Sequence, residues 1–255
     1  DGRITRSRFF EGVMRSAARL TYREVGAFLD KPGARHDAKL EPLRERLLAL
    51  HGVYKAFTRA RSGRGALELD TPELKLKFDE QGRVAALVEY PRNDAHRLIE
   101  ECMIAANIAA ARFLDRHRVP TLYRVHGLPE IDRLETLRQF LREFGLWLPP
   151  AEEVKPEHLR DLLAKIGDRP DALLISTAVI RSMPQAVYQP GNIGHFGLAL
   201  EHYAHFTSPI RRYPDLVVHR GIRQVLQGGD PQALVDWHGP FPVLGQDCSF
   251  RERRA

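Results

Sequence analysis

The segment from Asn93 to Leu114 carries the most apolar helical pattern in the chain, and it constrains the fold more than any other feature. Apolar residues cover most of its surface, and the main polar interruptions are Glu100, Glu101 and Asn107. A helix that is apolar on most sides is usually buried, so other elements must pack around it. A chain of 255 residues can supply them as one large domain or as two smaller ones.

Periodicity predicts the elements that surround this helix. Helical spacing of apolar residues predicts further helices over residues 8–29, 41–61, 131–144, 156–166, 170–183 and 214–226. Alternation from Leu74 to Phe78, a turn, and an apolar run from Val84 to Tyr90 predict a β-hairpin. Short strands are expected over residues 121–126 and 195–206. This combination predicts an α+β fold, with a mixed sheet and packed helices, rather than a doubly wound sheet.

Composition narrows the environment and the partners. No uninterrupted apolar run approaches the roughly 20 residues of a membrane-spanning helix, so no membrane partner is expected. Cys102 and Cys248 are the only cysteines, and neither has a second ligand at zinc-site spacing, which suits a reducing cytosol. The net charge of +6 favours nucleic acid, because basic side chains that neutralise phosphates release counterions. With 39 basic and 33 acidic residues, however, charge alone discriminates weakly.

Residues 203–215 concentrate hydroxyl groups, arginines and aromatic rings where a predicted strand meets a predicted helix, and they read YAHFTSPIRRYPD. Free N–H groups at a helix start and a bidentate guanidinium complement phosphate oxygens, while aromatic rings stack on splayed bases. The same pattern also fits Arg211 and Arg212 as a solvated pair beside tyrosines of the core. Spacing alone leaves both interpretations open.

The remaining titratable residues favour ordinary structural roles. Glu100 and Glu101 are consecutive in a helix, so they point about 100° apart and cannot both face one site. Arg97 lies one turn before Glu101, and an ion pair between them is the alternative to a functional carboxylate. His202 and His205 would lie on opposite faces of the predicted strand, which disfavours a shared zinc ion. No two aspartates are adjacent, and no metal ligand is predicted in this chain.

Two long motifs carry a resemblance to a known enzyme family. Residues 92–107 read RNDAHRLIEECMIAAN, and residues 203–220 read YAHFTSPIRRYPDLVVHR. In this order, they resemble the ribonuclease R/ribonuclease II family. Shorter matches, which extend the resemblance over almost the whole chain, occur at residues 168–172, 181–183 and 194–200. The sequence RYPD at residues 212–215 is closer to ribonuclease R than to ribonuclease II.

The resemblance implies an RNB-type catalytic domain. Such a domain threads single-stranded RNA through a channel and hydrolyses it processively from the 3′ end to nucleoside monophosphates, with magnesium as its cofactor, in the cytoplasm. By motif, Arg211 corresponds to the arginine at the scissile phosphate and Glu101 to the glutamate that contacts the terminal nucleotide. Tyr203, Ser208 and Arg212 are expected to shape the same pocket.

Departures from the family pattern limit this expectation. The family's aspartate cluster, which would hold Mg²⁺, and its base-stacking tyrosine are expected upstream of Asp1. Residues 1–255 are therefore expected to be a partial domain, truncated at both ends and inactive alone, without the cold-shock and OB-fold modules of a longer parent chain. Leu69 falls where relatives can place a second stacking aromatic. A non-catalytic RNA-binding module and a helical protein-interaction scaffold remain alternatives.

Overall fold

The computed structural model of the protein describes residues 1–34, 37–67, 74–89, 92–167 and 169–254. The predictions that concern Leu69, Tyr90 and Asp168 fall outside these residues. The chain divides into two compact units. The larger comprises Asp1–Val13, Arg59–Glu68 and Met103–Ala255, and the smaller comprises Met14–Thr58 and Leu69–Cys102.

Helices dominate the part of the chain that the structure describes. The α-helices are α1 (Tyr22–Asp30), α2 (Arg44–Gly63), α3 (Asp94–Arg116), α4 (Ile131–Glu143), α5 (Pro156–Ile166), α6 (Ala172–Ser182), α7 (Tyr213–Leu226), α8 (Ala233–His238) and α9 (Phe241–Glu252). The strands are β1 (Leu74–Phe78), β2 (Val84–Glu89), β3 (Tyr123–Val125) and β4 (Val187–Gln189). The α+β class is confirmed. Where a mixed sheet was expected, β1–β2 and β3–β4 form two antiparallel ladders, and His126 and His195 add one parallel bridge.

The smaller unit is built on α1, the first part of α2, the β1–β2 hairpin and the start of α3. Its core contains Phe28, Leu40 and Leu98. Helix α3 begins where predicted, because the Asn93 side chain caps it: Oδ1 accepts hydrogen bonds from the backbone N–H groups of Ala95 (3.1 Å) and His96 (3.3 Å). The predicted hairpin is confirmed, with Leu76 opposite Leu87.

The predicted helix over residues 8–29 is wrong in its first half, because α1 begins only at Tyr22. A capping box fixes that start: the Thr21 side chain accepts from the Glu24 backbone, and the Glu24 carboxylate accepts from the Thr21 backbone. Upstream, Phe9 packs against Phe113, but Val13 and Met14 are fully or almost fully exposed, so the apolar residues of the pattern do not share one covered face. Apolar periodicity stabilises a helix only when its apolar face is covered.

The larger unit has two principal cores. One lies among α4, α5 and α6 and includes the fully buried side chains of Leu141, Leu159, Ile175 and Val179. The other lies around α3, β3, β4, α7 and α9 and includes Leu114, Leu122, Val217 and Val218. Each such side chain contributes about 1.5–3 kcal/mol when it leaves water. The segment that connects β4 to α7 is held by this second core, because Ala204 is buried in it and Phe206 packs against it.

The predicted strand over residues 195–206 is also wrong. The backbone makes a short 3₁₀ turn at Phe196–Leu198, and Ala199 adopts a left-handed conformation with φ of +50°. The His195 N–H then donates to the Leu200 carbonyl at 2.7 Å, so the segment doubles back instead of extending. Residues 201–206 continue without regular structure. The aromatic and histidine side chains of this segment therefore do not alternate between two sheet faces.

Three elements of the larger unit, β4, α8 and α9, were not predicted. Strand β4 has only three residues, and α9 covers it closely: a Cβ at Gly245 would lie 2.5 Å from the Tyr188 carbonyl oxygen. The Ser249 hydroxyl accepts a hydrogen bond from the Tyr188 N–H at 2.8 Å, so a helix satisfies the strand's outer edge. None of the described helices is both long and apolar enough to cross a membrane.

Candidate nucleic-acid interface

The segment that leads into α7, residues 203–212, is held at its end by one buried carboxylate. Asp215, in the first turn of α7, has no exposed surface. Its Oδ1 accepts hydrogen bonds from the Ser208 N–H at 2.7 Å and from Arg212 Nη2 at 2.8 Å. An acidic side chain in the first turn also complements the helix dipole. Ser208 and Arg212 are thereby fixed relative to the helix start.

A single amide on α3 holds the beginning of the same segment. Asn107 is buried, and its Nδ2 donates to the Tyr203 hydroxyl at 3.1 Å while its Oδ1 accepts from the Phe206 N–H at 2.9 Å. The Phe206 carbonyl accepts from His219 Nε2 on α7 at 2.8 Å, and the two rings stack with centroids 4.2 Å apart. Both backbone groups of Phe206 are therefore satisfied by side chains, as buried backbone requires.

Two buried side chains of this segment, Tyr203 and His205, pack against His195 and Tyr188 in a low-dielectric environment. The His205 Nδ1 lies 2.8 Å from the Tyr188 hydroxyl, and the Tyr203 ring lies between His195 and His205, 5.4 and 5.6 Å from their ring centroids. Burial lowers the pKa of His195 and of His205 to about 3, and Arg212 also lowers the pKa of His205. Burial raises the pKa of the Tyr203 hydroxyl. These groups are therefore neutral at pH 7 and leave arginine as the source of positive charge.

The two adjacent arginines have different surroundings. The Arg212 side chain is 19% exposed and its charge is matched by Asp215. Arg211 is exposed, and no carboxylate of the described residues lies within ion-pair distance of it. Backbone hydrogen bonds from the N–H groups of Arg211 and Arg212 to the Ser208 carbonyl, at 3.3 and 3.0 Å, close the turn beneath them. The geometry thus presents one uncompensated guanidinium on an anchored turn.

Three buried polar atoms of this segment and of the first turn of α7 have no hydrogen-bond partner: Thr207 Oγ1, Arg212 Nε and Asp215 Oδ2. A buried polar group without a partner costs about 1–3 kcal/mol. They include a donor, an acceptor and a hydroxyl that can do both. Because all three atoms are buried, they do not offer a ligand-binding surface, and the exposed Arg211 is the group of this turn that a ligand can reach.

Four of the five predicted site residues lie within residues 203–212, and their roles stay predictions: Tyr203, Ser208, Arg211 and Arg212. Glu101 belongs to the smaller unit, where it is 5% exposed, and its role stays a prediction. The predictions gave no role to the anchors Asn107 and Asp215. The polar Asn107 within an apolar helix was a usable signal, because a buried amide requires partners.

No metal site is found among the residues that the structure describes, since they contain no group of three or more His, Cys, Asp or Glu side chains that could hold an ion. His202 Nε2 instead lies 3.3 Å from Asp115 Oδ2, while His205 faces Tyr188. Magnesium coordination needs several oxygen ligands in octahedral geometry. The described residues do not fit such a site.

A family model described as RNB domain matches residues 1–228. The chain belongs to this family. RNB membership is consistent with the position of the anchored turn, since residues 203–215 lie inside the matched range. Both long sequence motifs also lie within it, so the resemblance that they carry is confirmed.

Curated relatives and solved structures agree with the RNB assignment. Ribonuclease R of Escherichia coli is 44% identical over 262 residues that cover 100% of this chain and 32% of its own length. Ribonuclease R of Thermotoga maritima is 36% identical over 259 residues, which cover 100% of this chain and 36% of that protein. Mycoplasma genitalium RNase R, solved with ribose-methylated single-stranded RNA, shares the fold with a TM-score of 0.81 at 23% identity, over 91% of this chain and 36% of that one. The chain thus spans about a third of the relatives that it matches.

Yeast Ssd1, described as a pseudonuclease, also shares the fold, with a TM-score of 0.63 at 20% identity over 91% of this chain and 28% of that one. At such identities, these solved structures establish the fold alone. Fold therefore does not separate a nuclease from a non-catalytic relative.

Proposed function

We propose that this chain is part of a hydrolytic 3′-to-5′ exoribonuclease that degrades single-stranded RNA processively to nucleoside monophosphates. The observation that carries the proposal is the exposed, uncompensated Arg211 on a turn anchored by Asn107 and Asp215. An exonuclease of this kind has to stabilise negative charge that develops on the scissile phosphate. A rigidly held guanidinium does so without reorganising during the reaction.

The individual roles follow from the surroundings of each residue. Arg211 binds the scissile phosphate and stabilises its transition state, since a guanidinium can donate two parallel hydrogen bonds to phosphate. Arg212 and Ser208 shape the turn through Asp215. Tyr203 is buried, and its hydroxyl accepts a hydrogen bond from Asn107, which holds the start of the segment in place. Glu101 contacts the terminal nucleotide.

We also propose that the magnesium of the parent enzyme is held by aspartates outside residues 1–255, and that cold-shock and OB-fold modules of the same parent chain bind RNA with it. Coverage of only 32% of the Escherichia coli relative leaves room for such parts. We place the parent enzyme in the cytoplasm, where two free cysteines remain reduced. On its own, this chain is expected to bind RNA without cleaving it.

The second candidate is a non-catalytic RNA-binding module, because the fold shared with the pseudonuclease Ssd1 does not separate it from a nuclease. Denaturing gels of 5′-labelled single-stranded RNA, incubated with the chain and with its longer parent, separate the two. The proposal expects a magnesium-dependent ladder that shortens from the 3′ end with the parent protein, no ladder with chelator, and intact RNA with this chain alone. Intact RNA in every lane would favour the binding module. A magnesium-dependent ladder from the chain alone would refute the placement of the metal ligands outside it.

A further inference from the structure

An exposed aromatic strip lies on the larger unit beside the start of α7. Trp237 on α8 is 73% exposed, and Tyr213, the first residue of α7, is 44% exposed. The His238 ring lies between them, with its centroid 6.3 Å from that of Trp237 and 5.8 Å from that of Tyr213. The Tyr213 hydroxyl is 3.0 Å from His238 Nδ1. The rings of Tyr213, His238 and Trp237 are named the aromatic strip below.

A positive charge accompanies the strip. The Arg220 guanidinium carbon lies 5.4 Å from the centroid of the Trp237 ring, within cation–π range. None of the carboxylates that the structure describes makes an ion pair with Arg220, not even the exposed Asp236 next to Trp237. Tyr213 and Arg220 are seven residues apart on α7, so both lie on one face of the helix. The strip thus combines the accessible rings of Trp237 and Tyr213 with an uncompensated guanidinium.

The other tryptophan shows that exposure alone does not produce this arrangement. Trp147 is 72% exposed, but no ring or cation is found near it among the described residues. Single exposed apolar residues are ordinary and need no functional explanation. Trp237 differs because its neighbours are aromatic and basic. Trp147 is therefore a matched control for removal of an exposed indole.

We infer that the aromatic strip and Arg220 form a second contact for single-stranded RNA, outside the turn that carries Arg211. The inference rests on the proposed function and adds a binding surface to it. Accessible rings that stack on bases, combined with arginines that follow the backbone, are the composition of single-strand nucleic-acid surfaces. The net charge of +6 and the unpaired Arg220 complement a polyanion, so RNA is the occupant that the charge favours. Arg220 lies seven residues after Tyr213, about 10 Å along α7 from the helix start that follows the Arg211 turn, so one strand can reach both contacts.

Two single-tryptophan variants test the contact directly. Trp147→Phe leaves Trp237 as the only indole, and Trp237→Phe leaves Trp147. Addition of a single-stranded oligoribonucleotide should quench the fluorescence of the Trp147→Phe protein and leave that of the Trp237→Phe protein nearly unchanged. Equal responses, or no response from Trp237 while RNA is bound, would overturn the inference.

The affinity of the chain for RNA provides a test that is independent of tryptophan fluorescence. By fluorescence anisotropy of the labelled RNA, Trp237→Ala should weaken binding about 5- to 150-fold, the range for loss of one stacked base, whereas Trp147→Ala should not. Arg220→Gln should lower the slope of log affinity against log salt by about 1. Unchanged affinity of Trp237→Ala, with binding by the unsubstituted chain intact, would refute the strip and leave the proposed function standing. No RNA binding by the unsubstituted chain would refute both.

Discussion

The guanidinium of Arg212 donates a 2.8 Å hydrogen bond to Asp215, a carboxylate with no exposed surface. Because of this pair, the two neighbouring arginines have different roles. Arg212 neutralises a buried charge that also holds the Ser208 N–H, and Arg211 remains available to a ligand. The distinction predicts that substitutions at the pair change stability, whereas substitution of Arg211 changes function.

Substitution of the buried carboxylate should be strongly destabilising. Asp215→Asn keeps the shape of the side chain but leaves the Arg212 charge without a counterion, which should cost about 3 kcal/mol of unfolding free energy. Urea denaturation at pH 7 measures this cost. Glu11→Gln is the matched control, because it breaks the exposed Arg223–Glu11 pair and should cost less than about 1 kcal/mol. Similar costs for both variants would show that Asp215 is not an anchor.

Loss of the Asn107 amide should lower the free energy of unfolding more than loss of either of its two hydrogen bonds alone. Asn107→Ala leaves the buried Phe206 N–H without an acceptor and the Tyr203 hydroxyl without its donor, so it should cost about 2–3 kcal/mol. Tyr203→Phe removes one of these bonds and should cost about 1 kcal/mol. Urea denaturation of the two single variants and the double variant checks the coupling. Strict additivity of the two costs would contradict a shared anchor.

Acid should destabilise the larger unit through His195 and His205. Their pKa values in the folded protein are about 3, below the ordinary 6.5, so the unfolded chain binds more protons between these values. The contribution of these histidines to the free energy of unfolding is therefore complete above pH 6.5. It falls as pH decreases, by up to about 1.4 kcal/mol per pH unit for each histidine. Urea midpoints from pH 6.5 to 5 measure the slope, above the range in which ordinary carboxylates titrate.

The matched variant for this pH dependence is His205→Gln, which can keep a hydrogen bond to the Tyr188 hydroxyl. It should remove the contribution of one histidine, so its stability should depend less steeply on pH than that of the unsubstituted chain. An identical slope for the two proteins would mean that His205 is protonated without cost in the folded state.

The sequence predicted much of the helical fold because those helices have local signals and a covered apolar face. Helix α5 has a proline at its start, and α3 has a capping asparagine, so both were placed closely. The first half of the predicted helix over residues 8–29 failed because periodicity does not reveal whether a face is covered. The predicted strand over residues 195–206 failed because hydrogen bonds between His195 and Leu200 close a turn around the left-handed Ala199, and the Phe196 N–H bonds to the distant His126 carbonyl.

The candidate site was selected by motif resemblance, and its geometry could not be predicted from the sequence. Motif resemblance selected Arg211, Arg212, Ser208 and Tyr203, which lie within residues 203–212. It did not indicate which arginine is compensated, because that depends on the burial of Asp215 and on the direction in which α7 begins. The role of Asn107 depends on packing between α3 and a segment almost a hundred residues later, which no local pattern contains.

Arg211→Ala in the parent enzyme tests the central claim most directly. Single-turnover hydrolysis of 5′-labelled single-stranded RNA gives the rate of the chemical step, and anisotropy of the same RNA gives its Kd. Loss of a fixed positive charge at the scissile phosphate should slow hydrolysis about 100- to 1000-fold while RNA binding weakens only a few-fold. Arg223→Ala, an exposed arginine on the same helix, should leave both nearly unchanged. Equal losses of rate and affinity with Arg211→Ala would contradict its role in stabilising the transition state.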